Sequence, residues 1–321
     1  MAQDLTYSER KEEWFARETV MEFEMADYWG NWGVASEVSP LKAVLMRRPG
    51  LEIENMGDPH PWRWLDLMDP DKAREQHDRL TDIYREHGVE VHYVENMRQD
   101  RPNGMFMRDS VFMTPEGAIL ARHAIAARRG EERYVAESLG KLGVPVVKTI
   151  HGAGIFEGAC AMWVDRGTVV IGTGVRANAE GARQVEEALR SIGVKEFIRF
   201  PIPYGHAHVD GLFNMLDHDL AIMFPWQTPY DVWEPLNRKG VEILEVTSID
   251  ELRNSLALNF VALAPRKVVI PHDVPETIKL LEKHGVEVIP VDVSELRKGW
   301  GAIHCMTAFL KRREPIPSLL A

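Results

Sequence analysis

The sequence predicts an α/β protein built from five similar units, each strand-rich with one helix. Three observations carry that prediction. A glycine ends a helical stretch and opens a strand at five places, these places recur every roughly 45–55 residues, and β-branched runs follow each of them. The junctions are "REHGVEVHYV" at Gly88, "GKLGVPVVKT" at Gly143, "RSIGVKEFIR" at Gly193, "NRKGVEILEV" at Gly240 and "EKHGVEVIPV" at Gly285. Glycine just past a helix, followed by alternating Val and Ile, is a stop signal and a start signal together.

The helix ahead of a junction is amphipathic: in "EGARQVEEALRSIG", Ala182, Val185, Leu189 and Ile192 fall on one face of a 3.6-residue period. Each unit carries further strands, of which "GTVVIGTG" and "RKVVIPH" are examples. Alternating helix and strand also marks a doubly wound sheet. A cyclic arrangement differs in one consequence, because equivalent positions of all units then face a shared axis and functional residues recur at the repeat period. No long linker or low-complexity segment interrupts residues 40–313. Residues 40–321 are therefore expected to form a single catalytic domain behind an N-terminal extension, residues 1–39. The segment "GLEIENMGDPHPWRWLDLMDP" is long enough to be a functional loop or lid.

The chain has 321 residues, 45% hydrophobic and 27% charged, enough to bury a full site. Its longest apolar runs, "FVALAP" and "TVVIGTG", stop far short of the roughly 20 residues of a membrane helix, and the polar start lacks the apolar stretch of a signal peptide. A cytoplasmic protein is expected. Two cysteines cannot make a disulfide framework and are too few for a structural zinc site, so a free thiol is expected. The net charge of −11 disfavours nucleic acid and anionic membranes as partners and favours a cationic small molecule. The sequence leaves a homo-oligomer open.

Polar residues recur in phase with the repeat. They are Asp109 in "PNGMFMRDS", Glu157 in "IFEGAC", His208 and Asp210 in "HAHVDGLFNML", and Cys305 in "GAIHCMT". Asp109 to Glu157 and Glu157 to His208 are each about 50 positions, and His208 to Cys305 is about twice that. Four units thus contribute one constellation and the fourth in order contributes nothing obvious. The set suits one chemistry. A thiolate is a strong nucleophile, and a nearby imidazolium depresses its pKa, accepts a proton and later delivers one to a leaving group. Two carboxylates in the same pocket repel anions and pair with a planar cation whose N–H groups diverge from an electrophilic carbon, a guanidinium or amidinium. Asp210, two residues along a strand from His208, shares its face and orients the ring or takes a further N–H.

In order and spacing, "PNGMFMRD", "FEG", "HVDGLFNML" and "GAIHCMT" resemble the motifs of the guanidino-group modifying superfamily, the arginine and agmatine deiminases, dimethylarginine dimethylaminohydrolases and amidinotransferases. The resemblance spans roughly residues 40–313. It implies the five-bladed α/β propeller of that superfamily, the pentein fold, with ββαβ-type repeats around a pseudo-fivefold axis and the site on that axis. It implies a cofactor-free hydrolase of C–N bonds in linear amidines, with Cys305 as nucleophile, His208 as general acid/base, Asp109 and Glu157 as the guanidinium-binding pair and Asp210 in support. "GTGVRANAEGARQVEEAL" resembles the segment whose arginine grips the substrate's carboxylate, and Arg176 is the matching residue. The chain departs from many deiminases at Cys160, where they carry an acid. That departure counts against L-arginine as substrate and leaves room for an outlying reaction on a non-guanidine compound such as 2-nitroimidazole.

Blander roles compete for each residue. A lone cysteine is more often a buried small hydrophobe than a nucleophile, which is the expectation for Cys160, while the phased partners reverse it for Cys305. His206 and His304 are expected to be satisfied core histidines, and Trp62 and Trp64 to pack the long loop. His304, Cys305 and His208 show no zinc-ligand spacing, so no metal is expected. The same residues would serve an amidinotransferase, which passes the group to an amine instead of water. A ribosome-binding translation initiation factor has a similar propeller but lacks the Cys/His/acid set.

Overall fold

Five three-stranded sheets carry the described residues of the chain, which are 19–54 and 56–312 of a computed structural model. Residues 1–18 of the expected N-terminal extension and residues 313–321 lie outside them. Within the extension, helix α1 (Met21–Tyr28) is held to the turn after the third sheet's first strand by Arg166 Nη2, 2.6 Å from Glu22 Oε2.

Each sheet repeats one plan. Strands β1 (Leu41–Met46) and β2 (Glu90–Tyr93) run parallel, joined by α2 (Pro70–Glu86). β3 (Val111–Thr114) pairs antiparallel with β4 (Gly117–Leu120), and α3 (Glu131–Leu142) returns the chain to the parallel β5 (Val146–Thr149). The same order holds for β6 (Ala161–Asp165), β7 (Thr168–Thr173), α4 (Ala179–Ser191) and β8 (Glu196–Pro201). It holds again for β9 (Phe213–Asp217), β10 (Leu220–Met223), α5 (Tyr230–Arg238) and β11 (Glu242–Glu245). After the short α6 (Ile249–Asn254), the fifth set is β12 (Val261–Ala264), β13 (Lys267–Pro271), α7 (Pro275–Lys283) and β14 (Glu287–Val291). The short helix α8 (Ile303–Met306) then leads into β15 (Ala308–Arg312), which pairs antiparallel with β1, Leu45 opposite Ala308. The last strand of the chain thereby supplies the first strand of the first sheet and closes a five-bladed α/β propeller.

The five junction glycines all take the left-handed conformation, with φ between +73° at Gly88 and +96° at Gly193. A side chain there would be strained, so glycine is the residue that lets each helix stop and turn at once. On α4, Ala182, Val185 and Leu189 are buried as the period predicts, and Asn178 caps the helix by accepting from Gly181 N at 2.8 Å. Ile192, just past the end, is half-buried.

Burial grades outward across each blade. β3 and β4 are buried throughout, as β9 and β10 nearly are, whereas β5 exposes Val146 and Val147. Strands covered on both faces read as unbroken apolar runs, and the third strand is the wet outer edge. Side-chain bonds stitch neighbouring blades together. Trp163 Nε1 donates to Met113 O at 3.0 Å, Asn214 Nδ2 to Leu258 O and Phe260 O at 3.0 Å each, and Arg312 Nη1 to Ala262 O at 2.9 Å. Among the described residues no helix is long and apolar enough to cross a membrane.

Candidate active site

The segment just ahead of each blade's first strand points to the axis. Asp109 lies in the turn Met107–Ser110 before β3, Glu157 caps the turn Gly158–Cys160 before β6, and His208 precedes the turn Val209–Gly211, which carries Asp210, before β9. Cys305 lies in α8, before β15. Gly158 makes the close approach possible, since a Cβ there would stand 2.4 Å from the backbone oxygens of Arg108 and Val111. All five predicted residues are buried: Asp109 3% exposed, Glu157 0%, Asp210 2%, Cys305 7% and His208 8%.

His208 stands between two carboxylates. Its Nε2 is 2.8 Å from Glu157 Oε2 and its Nδ1 is 3.6 Å from Asp109 Oδ1. Asp109 Oδ2 accepts from Arg128 Nη1, whose guanidinium is also held by Glu131 Oε2 at 2.9 and 2.7 Å and by Phe106 O at 3.0 Å. Asp109 Oδ1 is buried without a hydrogen-bond partner. Glu157, in contrast, is crowded: Arg176 Nη1 lies 3.1 Å from both its oxygens, Ala124 N donates to Oε1 at 3.3 Å, and His123 Nδ1 is 3.3 Å from Oε1.

Cys305 and Asp210 share a second set of partners. Asn259 Nδ2 donates to Asp210 Oδ2 at 3.0 Å and to Cys305 Sγ at 3.1 Å, while its Oδ1 accepts from the backbone N–H groups of Ala302 and Cys305, each at 3.2 Å. Asp210 Oδ2 also meets His304 Nδ1 at 2.8 Å, and His304 Nε2 lies 3.4 Å from Glu37 Oε2, whose other oxygen accepts from Arg108 at 2.7 Å.

Charge sets the protonation states. Burial pulls His208 down, but Asp109 and the bonded Glu157 outweigh it and hold the imidazolium above the ordinary histidine value. His304 is raised in the same way, by bonds to Asp210 and Glu37 against burial. Burial, then Asp210 and Asp109, push the Cys305 thiol well up, and the Ala302 backbone and Asn259 pull it partly back. Burial would raise Glu157 as well, yet its bonds from His123 and His208, helped by Arg176, keep it well below the usual carboxylate range. These shifts favour the thiol on Cys305, the imidazolium on His208 and the carboxylate on Glu157 and on Asp210.

The structure thus brings Cys305, His208, Asp109, Glu157 and Asp210 together on the axis. Arg176, expected as a grip for a substrate carboxylate, instead sits on Glu157 with its side chain 14% exposed. Cys160 is fully buried, with Sγ 3.9 Å from Ala207 O, and burial followed by Glu157 and Asp109 pushes its thiol well up. Trp64 Nε1 donates to Asn103 Oδ1 at 2.7 Å and Asn103 Nδ2 to Trp62 O at 3.1 Å, so the long loop packs on the "PNGM" segment leading to Asp109. His304 is a satisfied buried histidine whose partners are Asp210 and Glu37.

Sequence reasoning missed Asn259, Arg128 and His123. Asn259 had a signal: it lies midway between His208 and Cys305, in phase with the repeat, and is the fourth unit's contribution. Arg128 and His123 sit in the loop before α3 and carry no periodic mark. Ligand atoms of Asp109, Glu157 and His208 lie within 4.8 Å of one another, the one such trio among the described residues. A dication there would have to displace Arg176 from Glu157.

Residues 67–312 match the family described as N,N dimethylarginine dimethylhydrolase, eukaryotic. The N(G),N(G)-dimethylarginine dimethylaminohydrolase of Pseudomonas aeruginosa is 26% identical over 273 residues, which cover 83% of this chain and 98% of that one. The 2-nitroimidazole nitrohydrolase of a Mycobacterium species is 27% identical over 263 residues, 75% of this chain and 68% of that one. A solved structure of the Pseudomonas aeruginosa dimethylaminohydrolase, a cysteine-to-serine mutant complexed with citrulline, matches with a TM-score of 0.69 at 26% identity, over 84% of this chain and 99% of that one.

Proposed function

The chain belongs to the N,N dimethylarginine dimethylhydrolase family, and from that premise we propose that it cleaves a C–N bond of a guanidino or amidine-like cation by metal-free covalent catalysis at Cys305. The observation that carries the proposal is Asp109 Oδ1, a buried acceptor that takes no hydrogen bond, with His208 Nδ1 the facing cation at 3.6 Å. An unsatisfied buried carboxylate oxygen is costly and calls for a donor, and a substrate N–H⁺ group supplies one. Its arrival neutralises Asp109 and so removes one of the charges that keep Cys305 protonated.

The Cys305 proton passes to solvent, and the thiolate then attacks the central carbon. His208, held as imidazolium, protonates the departing amine, leaving a thiouronium on Cys305. Neutral His208 next takes a proton from water, hydroxide adds to the carbon, and collapse expels the Cys305 thiol and a ureido product. Glu157 keeps the His208 ring in place throughout. Residues 40–321 act in this proposal as one catalytic unit, in the cytoplasm, behind the extension at residues 1–39. The pairing of β15 with β1 supports that unit.

A second reading is favoured by the buried thiol of Cys160 beside Glu157, in place of the acid of many deiminases, and by the likeness to a 2-nitroimidazole nitrohydrolase. Here the same attack on an amidine-like ring carbon would expel nitrite. Both are tested together by incubating the protein with guanidino compounds and with 2-nitroimidazole, assaying amine, ureido product and nitrite, and quenching for intact mass. Turnover is expected to vanish in Cys305→Ala and to survive in Cys160→Ala, with a substrate-derived mass increment on Cys305. Full activity in Cys305→Ala would end the proposal.

A further inference from the structure

We propose that Asn259 is a catalytic residue of this site, the fixed donor that holds the Cys305 sulfur in line and receives its negative charge. This rests on the reading of Cys305 as the nucleophile. Asn259 is 4% exposed and lies two residues before β12, in the segment from which every other blade sends a site residue to the axis. All of its amide is used. The carbonyl oxygen clamps two backbone N–H groups of the α8 segment, Ala302 and Cys305, which fixes the segment's rotation and with it the direction of the Cys305 side chain. The amide nitrogen divides its two protons between Asp210 Oδ2 and Cys305 Sγ.

The other groups facing the sulfur make that donor matter. Asp210 Oδ2 is 3.6 Å from Sγ, and both Asp210 and Asp109 oppose a thiolate. His304 has both ring nitrogens engaged, by Asp210 and by Glu37, and His208 is bonded to Glu157. Asn259 is thus the side-chain N–H that the described residues direct at Sγ. A neutral donor suits this place. A lysine or arginine would repel the cationic substrate from the adjacent carboxylates, whereas an amide stabilises the thiolate and leaves the pocket's charge unchanged.

Alkylation of Cys305 by iodoacetamide, followed across pH and read by mass spectrometry of the Cys305 peptide, tests this without any substrate. It therefore stands or falls separately from the hydrolase reading. In Asn259→Ala the Cys305 profile is expected to move to higher pH, so that at a fixed pH below the transition the rate drops roughly ten- to a hundredfold. The paired exchange Asp210→Asn with Asn259→Asp keeps net charge, the bond between 210 and 259 and the acceptor for both backbone N–H groups, but points an anion at the sulfur. It should shift the profile the same way while preserving the circular dichroism and melting of the folded chain. A wild-type alkylation profile in either folded variant would overturn the proposal. So would failure of both variants to fold, which would make Asn259 a purely structural residue.

Discussion

Arg176 and Glu157 form a two-point contact, Nη1 lying 3.1 Å from each carboxylate oxygen, so the protein places a guanidinium of its own beside His208. The pocket's other carboxylates are held in turn, Asp109 by Arg128 and His208 and Asp210 by His304. The Arg176 contact means that a substrate guanidinium reaching toward Glu157 competes with an internal one.

That competition predicts a split effect in Arg176→Ala. Inhibition by guanidinium and methylguanidine, which carry no carboxylate, should tighten by roughly three- to tenfold, because the internal cation no longer has to yield. Compounds bearing an α-carboxylate should bind no better, having lost a cation they could recruit. Inhibition constants for the two groups, measured side by side, decide it: equal changes in both would show that Arg176 never leaves Glu157.

The Glu157–Arg176 contact could not have been read from the chain, while much else could. The junction glycines carry their meaning in a single residue type, since all five need positive φ, and the face of α4 needs only local periodicity. Asp109, Glu157, His208 and Cys305 were legible because blade symmetry turns a spatial relation into a sequence spacing. Asn259 escaped because "LALNFVALAP" reads as a core strand, although one amide within an apolar run is itself a sign of a buried polar group that must be satisfied. The closure of β15 on β1 and the seating of Arg128 on Asp109 depend on how loops meet, which no local pattern encodes.

Asp109 is predicted to act on Cys305 and on the substrate with opposite signs. Its charge helps keep the thiol protonated, so Asp109→Asn should make Cys305 alkylate faster at neutral pH. The same variant loses the anion whose Oδ1 takes no hydrogen bond from the protein, and turnover of a guanidino substrate should fall by a hundredfold or more. Slower alkylation, or turnover within threefold of wild type, would place Asp109 outside the pocket's chemistry.

Stability should follow Glu37 on the acid side. Burial alone would raise this carboxyl, but Arg108 and the bonded His304 bring it from 4.5 down to about 2. A depressed folded-state value gives stability that is complete above pH 4.5 and is lost as pH falls toward 2, about 3 kcal/mol in all. Glu37→Gln should therefore cost about 3–5 kcal/mol near pH 6, where it strands Arg108, and about 2 kcal/mol less than that at pH 3. His208 and His304, raised above 6.5, act in the opposite direction: their contribution is complete below pH 6.5 and fades as pH rises through their folded-state values. Urea unfolding of both proteins at pH 3, 6 and 9 measures each limb, and a Glu37→Gln penalty identical at pH 3 and pH 6 would refute the assignment.

Hydrolysis and amidino transfer differ only in what attacks the thiouronium, so the discriminating feature is the second nucleophile. The imidazole of His208 is fixed by Glu157 at 2.8 Å, and in the proposed mechanism it would be left neutral after protonating the first leaving amine, ready to take a proton from whatever enters the vacated space. With Cys305, Asp109 and Glu157 almost sealed from solvent, that space is lined by carboxylates, which suits a water molecule. A transferase would need room and a contact for an acceptor amine's remainder as well as for the first substrate, and Arg176, the cation that a carboxylate could recruit from Glu157, can serve only one of the two. Turnover in oxygen-18 water is therefore expected to label the carbonyl of the ureido product without any added amine. An unlabelled product that forms only when an amine such as glycine is supplied would reverse the assignment to transfer, and label accompanied by nitrite would keep the water chemistry but identify the substrate as a nitro-heterocycle.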